Sequence, residues 1–405
     1  MSMSKNICIF SSHYFPYLGG VENYTYNLAR KLMQNGDKVV IVTSNDAHLS
    51  AYEKMDGIPV FRLPCYNLLG GRFPVSKVNG EYKQLYKKLM GFHFDLVIVQ
   101  TRMYPHSVAG MRFAKRQGCK CITIDHGTSH MTVDSKFWDT LGSWYEHLIT
   151  AYEKRLCKNY YGVSQDSLEW LKHFGIKPAG VLYNAIDYDK IQALISLKGR
   201  NFRGEYKIPD DTIIITYTGR LVKEKGIMNL IAAVKQYTGQ QKICLMIAGD
   251  GEEMASVKAN ERDDIIALGR LDFDDIIALL KQSQIFCLPT DYPEGFPTST
   301  LEAVACDCYI ITTTRGGSRE LLIDDGYGII MKDNRPPTIV DAITKSMTLG
   351  KGRQTAIKKT KDHLIKHFTW DIIAEKVHEL IVILSEAKNL NGEFINEETD
   401  NHSSI

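Results

Sequence analysis

The 405-residue chain lacks any long apolar run. The longest, such as Ile213-Ile214-Ile215 and the stretch 380–384, fall far short of the roughly 20 residues that a membrane helix needs. A signal-peptide core is missing too: residues 1–10 hold one lysine and then Ile7-Cys8-Ile9-Phe10, which reads as a first strand. The nine cysteines, an odd number, follow no metal pattern, because Cys119/Cys121 and Cys306/Cys308 have one-residue gaps where a zinc knuckle needs two. Reduced thiols in a cytoplasm are therefore expected, and no zinc. No repeat with a period of about 20–50 residues is visible. The Leu18-Gly19-Gly20-Val21-Glu22 loop falls short of the three-glycine dinucleotide fingerprint, which disfavours a nicotinamide cofactor.

What is present is the composition of a globular protein, 44% hydrophobic and 24% charged, in a chain long enough for two domains. Apolar runs at 7–10, 39–43, 95–100, 121–125 and 160–163 read as buried strands, and Val21, Tyr24, Leu28 and Leu32 share one helical face. Strand-like runs recur at 213–218, 243–248, 265–268, 285–288 and 309–312, with helices expected near 227–237, 274–283 and 297–306. Strands alternating with helices predict parallel sheets, hence an α/β chain of two doubly wound, Rossmann-like domains facing across a cleft. The expected domains are 1–185 and 186–369, with a closing helix at about 370–386 and a polar, disordered tail over 387–405. Net charge is only +2, but residues 1–180 carry +8 and the remainder −6. A basic first half suggests an anionic partner there, although ordinary surface variation explains it equally well. Lys83, Lys87, Lys88, Arg112, Lys115 and Arg116 form its basic patches.

The most informative stretch is Glu294-Gly295-Phe296-Pro297-Thr298-Ser299-Thr300-Leu301-Glu302. Pro297 suits the first position of a helix, whose opening amides form an anion site. Glu294 before that start and Glu302 inside it would border one ligand, and carboxylates hold neighbouring sugar or ribose hydroxyls well. Taken alone, the pair reads more readily as a loop glutamate and an exposed helix glutamate. Arg220, directly after a strand, and Lys225, just before a helix, are placed to bracket a diphosphate. Gly19-Gly20, Ala248-Gly249-Asp250-Gly251, Gly269-Arg270-Leu271 and Arg315-Gly316-Gly317 are turns through which backbone would reach a ligand; each alone is little more than a turn. Asp272-Phe273-Asp274 looks like a metal motif but reads better as helix capping. Phe137, Trp138, Trp144 and Tyr145 cluster in the first half. Leu141, Trp144, Leu148, Ala151 and Tyr152 have core spacing on a helix; an acceptor wall or membrane contact is the sharper alternative.

Arg220, Lys225, Gly269 and the Glu294…Glu302 pair, in this order, resemble the retaining glycosyltransferase family 4, of GT-B fold. The resemblance runs from Gly19-Gly20 to Glu320 and on to the closing helix. It implies a nucleotide-sugar donor, UDP- or GDP-linked, with Arg220 and Lys225 on its diphosphate, Glu302 on the ribose and Glu294 at the sugar. It further assigns to donor binding Gly19, Gly20, Gly269, Arg270, Leu271, Phe296, Pro297, Thr298 and Ser299. His126 would stand at the donor sugar; without the family it is equally a strand-end histidine satisfied by backbone. No cofactor, metal or nucleic acid is implied. The acceptor would be a glycan or lipid-linked saccharide of cell-surface polysaccharide synthesis, at the inner face of the membrane. Two departures stand out: Ala185 replaces a family glycine, which predicts strain if that site needs positive φ, and Pro297 replaces a glycine and removes an amide. A sugar-nucleotide 2-epimerase of the same fold, or a non-catalytic nucleotide-sugar-binding partner, remains an alternative.

Overall fold

Near-continuous apolar runs of four to seven residues have both faces to bury, and parallel sheets covered by helices are the structures that bury both. The computed structural model describes residues 4–17, 19–132 and 135–400, with side chains as far as 386. The chain divides into two compact units, the first built from the described residues up to Val163, Ser167–Leu182 and the chain from Trp370 on, the second from Ser164–Asp166 and Tyr183–Thr369.

In the first unit the strands are β1 (Asn6–Ser11), β2 (Lys38–Ser44), β3 (Tyr52–Met55), β4 (Ile58–Leu63), β5 (Cys65–Leu68), β6 (Phe73–Ser76), β7 (Leu96–Gln100), β8 (Lys120–Asp125), β9 (Asn159–Gly162) and β10 (Gly180–Val181). Eight of them form one sheet in the order β10-β9-β8-β7-β1-β2-β4-β3, parallel except for β3, while β5 and β6 make a separate hairpin. Ile7 lies opposite Val39 on one side and Leu96 on the other, so β1 is the centre. Its helices are α1 (Gly20–Gln34), α2 (Gly80–Met90), α3 (Pro105–Gln117), α4 (Lys136–Glu153) and α5 (Gln165–His173).

Helix α4 corrects the expectation from its spacing. Its apolar stripe faces solvent, with Trp144 69% and Leu148 62% exposed, whereas Glu146, Thr150 and Glu153 are buried. The reason is Arg102, which is 2% exposed and bonds Asp125 Oδ2 (3.2 Å), Thr150 Oγ1 (3.1 Å) and Glu146 Oε2 (3.4 Å), with its guanidinium 3.6 Å from the Phe174 ring centre. A buried guanidinium needs such partners, so the polar face of α4 is the one drawn inward. Glu153 accepts from the Met103 amide at 3.0 Å, and burial pushes its carboxyl up to about 8.

The second unit has β11 (Ile213–Thr218), β12 (Ile243–Ala248), β13 (Ile265–Gly269), β14 (Ile285–Leu288), β15 (Tyr309–Thr313) and β16 (Ile329–Met331), all parallel, in the order β13-β12-β11-β14-β15-β16. Around it pack α6 (Tyr188–Ser196), α7 (Phe202–Glu205), α8 (Ile227–Gln236), α9 (Met254–Lys258), α10 (Phe273–Lys281), α11 (Thr298–Ala305), α12 (Ser318–Leu321), α13 (Pro336–Thr348) and α14 (Lys351–His367). Ile215, Leu230, Leu245, Leu288, Leu301 and Ile343 are among its fully buried core residues.

The chain then returns to the first unit as α15 (Trp370–Asp400), which runs past the end expected near 386. Trp370 meets the Tyr24 ring edge-on at 5.0 Å, and His378 Nε2 lies 2.6 Å from Asp37 Oδ2, pinning α15 along α1. Of the expected tail over 387–405, residues 401–405 lie outside the described residues. Among the described residues no helix is long and apolar enough to cross a membrane.

Candidate functional site

All strands of the second unit point the same way, so the loops after β11, β12, β13, β14 and β15 gather at one edge. Strand order reverses between β11 and β14, the place where open α/β sheets bind ligands. The loop after β11 carries Gly219, Arg220 and a turn of 3-10 helix, Lys223–Lys225, before Gly226 opens α8. Gly226 has φ +71, and a Cβ there would stand 2.1 Å from the Pro289 carbonyl oxygen. Only glycine lets these two loops approach so closely.

That approach brings three of the expected residues together. Lys225, 9% exposed, places Nζ 2.8 Å from Glu294 Oε1, and the Asp291 amide donates to the Glu224 carbonyl at 2.7 Å. The Tyr292 ring lies 5.1 Å from the Arg220 guanidinium and 5.9 Å from Lys225 Nζ. The aromatic face stabilises both cations at once and limits their drift. Tyr217 Oη donates to the Arg220 carbonyl at 2.8 Å, which fixes the backbone from which Arg220 projects.

Pro297 is the N-cap of α11, one position earlier than expected, with φ −71 and ψ 113. Its missing N–H therefore lies outside the helix mouth, and the Thr298 and Ser299 amides open the helix with no intrahelical acceptor. Glu302 lies one and a half turns in, on the same short helix. Burial pushes its carboxyl up to about 7. Phe296 is a core residue rather than a ligand-facing one: it packs on Phe368 (5.2 Å between centres), against a glycine, Gly317, whose Cβ would lie 1.9 Å from its ring. The Phe296 carbonyl accepts from Asn184 Nδ2 at 3.0 Å.

Gly269, φ +70, ends β13, and Arg270 and Leu271 follow it, two strands from β11. At about 4.8 Å per strand that is about 10 Å from the Arg220 loop, a nucleoside's reach. Asp272 caps α10, its carboxylate accepting the Asp275 amide at 2.9 Å. The expected strain at Ala185 is not found, since it is not among the residues with positive φ. A cavity of about 970 Å³ is lined by Thr212, Ile243 and Ile265 at the amino ends of the strands, away from all these groups.

In the first unit the order reverses between β1 and β7. Gly19, in extended conformation, precedes Gly20 as the cap of α1 with no side-chain capping bond. Glu22 folds back over this start, so that a Cβ on Gly19 would lie 2.4 Å from its Oε2, and burial raises its pKa. His126, at the end of β8, has Nε2 2.8 Å from Gln100 Oε1 and meets the Tyr24 ring edge-on at 4.8 Å. Burial lowers its pKa to about 3, so the ring is neutral at any physiological pH. The partner is a side chain, not the backbone. Sequence reasoning passed over Tyr292, Glu22 and Gln100; Tyr292, between Asp291 and Pro293 in the loop that ends in Glu294, was the most findable.

Comparison with known proteins finds similarity over most of the chain. The family model described as Glycosyltransferase Family 4 matches residues 18–190, and that described as Glycosyl transferases group 1 matches 199–363. An uncharacterised glycosyltransferase of Methanocaldococcus jannaschii is 25% identical over 377 residues, covering 90% of this chain and 95% of that one. One subunit of the human phosphatidylinositol N-acetylglucosaminyltransferase is 23% identical over 394 residues, covering 93% and 76%. Among solved structures, sucrose-phosphate synthase from Thermosynechococcus elongatus superposes with a TM-score of 0.73 at 18% identity, over 95% of this chain and 100% of that one. Anabaena HepE in complex with UDP gives 0.71 at 17%, over 94% and 100%.

Proposed function

The chain belongs to the family 4 glycosyltransferases, of GT-B fold, and we propose that it moves a sugar from a nucleotide-sugar donor to a hydroxyl of a glycan or lipid-linked saccharide with retention of anomeric configuration. The observation that carries this reading is the Arg220, Lys225 and Glu294 cluster at the β11/β14 switch, beside the open amides of α11. Arg220 and Lys225 neutralise the donor diphosphate as the glycosidic bond breaks and charge develops on the leaving group. A phosphate that recruits Lys225 loosens its pair with Glu294, and the freed carboxylate accepts hydroxyls of the donor sugar. Glu302 holds the ribose diol, and the turn at Gly269 takes the base. The neutral ring of His126 acts as a hydrogen-bonding group for the sugar, not as a charge.

With two cations and helix amides on the diphosphate, no metal is required. Retention by double displacement needs a nucleophile opposite the leaving group. Glu294 pairs with Lys225 in the free chain and is then taken up by hydroxyls of the donor sugar, which leaves it unsuited to that role and favours front-face attack by the acceptor. The exposed apolar stripe of α4, with the basic groove of Lys83, Lys87, Arg112 and Arg116 between α2 and α3, supports an acceptor presented at an anionic membrane surface.

The test is a thermal-shift screen of UDP-, GDP-, ADP- and dTDP-sugars, followed by NMR of the product formed with the donor that binds. A product with the anomeric configuration of the donor is expected. An inverted product, or isomerisation of the donor without an acceptor, would overturn the reading.

A further inference from the structure

Away from the residues assigned above, three histidines of the first unit converge from separate elements. His130 lies in the segment between β8 and α4, His147 on α4 and His173 at the end of α5. One ring nitrogen from each lies within 4.8 Å of the other two, and the ring centres are 5.1 to 5.8 Å apart. Each ring has a defined neighbour. His173 stacks on Trp170 at 5.0 Å with an interplanar angle of 6°, and the His147 ring centre lies 4.7 Å from that of Phe174. His130 Nδ1 is 2.9 Å from Glu146 Oε2, a carboxylate that is itself anchored on Arg102.

We infer that His130, His147 and His173 bind one first-row divalent metal ion, of which Zn²⁺ is the natural choice. Neutral imidazole is the favoured nitrogen ligand of such ions. The Glu146 contact sets the tautomer: with Nδ1–H donated to the carboxylate, the lone pair of His130 stays on Nε2, where the Ser143 hydroxyl now sits at 3.1 Å. A ligating histidine oriented by a buried carboxylate is a recurring arrangement in metal sites. Zinc–nitrogen bonds of about 2.0–2.1 Å require the three nitrogens to close to about 3.4 Å from one another. His147 and His173 are exposed and free to rotate by that much. Water completes the tetrahedron. The ion would clip the segment that starts at His126 to α4 and α5, a role distinct from the donor chemistry and independent of it.

The experiment is isothermal titration of untagged, chelator-treated protein with ZnCl₂, paired with thermal unfolding in ZnCl₂ and in EDTA. One ion per chain is expected, with a rise in Tm. His147→Gln and His173→Gln, both at exposed positions, are each expected to lower affinity by at least ~10-fold. The double variant is expected to lose both the binding and the Tm rise while unfolding like the parent in EDTA. His363→Gln, which disturbs the separate His363–His367 pair (4.5 Å between centres), is expected to change neither. Absence of binding to the parent at micromolar Zn²⁺, or parental affinity in the double variant, would overturn the inference.

Discussion

Glu302 offers a test in which stability and function move in opposite directions. An ordinary glutamate titrates at 4.5, and burial pushes this one to about 7. Between those values the folded chain holds a proton that the unfolded chain has released, so stability falls as pH rises from 4.5 to 7 and stays low above it. At 1.36 kcal/mol per pH unit the gap corresponds to roughly 3 kcal/mol, an upper figure because the side chain is not fully shielded from solvent. Glu302→Gln keeps the shape and removes the charge. It should lie within about 1 kcal/mol of the parent at pH 5 and exceed it by up to ~3 kcal/mol at pH 8, a Tm gain of about 2–4 °C per kcal/mol. On the proposed function the same change removes a charged acceptor for the ribose diol, and such bonds contribute about 1.5–3 kcal/mol, so UDP or GDP should bind about 10- to 100-fold more weakly. Urea unfolding at pH 5, 6, 7 and 8, with calorimetric titration of UDP and GDP, reads both effects. Unfolding curves that stay parallel across that range, or unchanged nucleotide affinity, would refute the reasoning.

Lys225→Met leaves Glu294 charged and largely buried without its partner, and should cost about 3–5 kcal/mol in urea unfolding. Adding Glu294→Gln should recover most of that loss while transfer stays abolished, which separates the pair's structural role from its chemical one. Gly226→Ala meets both a left-handed φ and the Pro289 carbonyl, and should lower stability by more than about 1 kcal/mol with loss of nucleotide binding. His106 and His126 are held neutral by burial, at about 4 and about 3. Their folded pKa values lie below the unfolded 6.5, so the stability they confer is complete above 6.5 and lost as pH falls through about 4 and 3. NMR of the two rings should show no titration between pH 5 and 8.

The tandem α/β plan was legible because strands buried on both faces, such as Ile243–Ala248 and Leu96–Gln100, are apolar throughout and bounded by loops. Strands such as Tyr52–Met55 and Gly180–Val181 were not, being short, partly exposed and without alternation strong enough to register. The amphipathic pattern of α4 was visible, but periodicity does not say which face is buried. That was decided by Arg102, 34 residues before the start of α4, whose buried charge needed Glu146 and Thr150. Arg220, Lys225, Glu294 and Glu302 were readable from their order and spacing. What spacing did not carry is that Lys225 and Glu294 face each other, or that Tyr292 lies beneath the cations, because both depend on how closely two loops pack at Gly226. His130, His147 and His173 escaped for a similar reason: they stand 17 and 26 residues apart, and only the packing of α4 on α5 brings them together.

If the cations at the β11/β14 switch carry the leaving diphosphate, loss of Arg220 shows it most plainly. Arg220 is exposed, so Arg220→Ala should unfold like the parent. Single-turnover transfer from the donor found by screening then isolates the chemical step. A fall of about 10²–10³-fold in the rate at saturating donor is expected, the usual effect of removing one preorganised donor from developing charge. A rate within a few fold of the parent, with the fold intact, would contradict it.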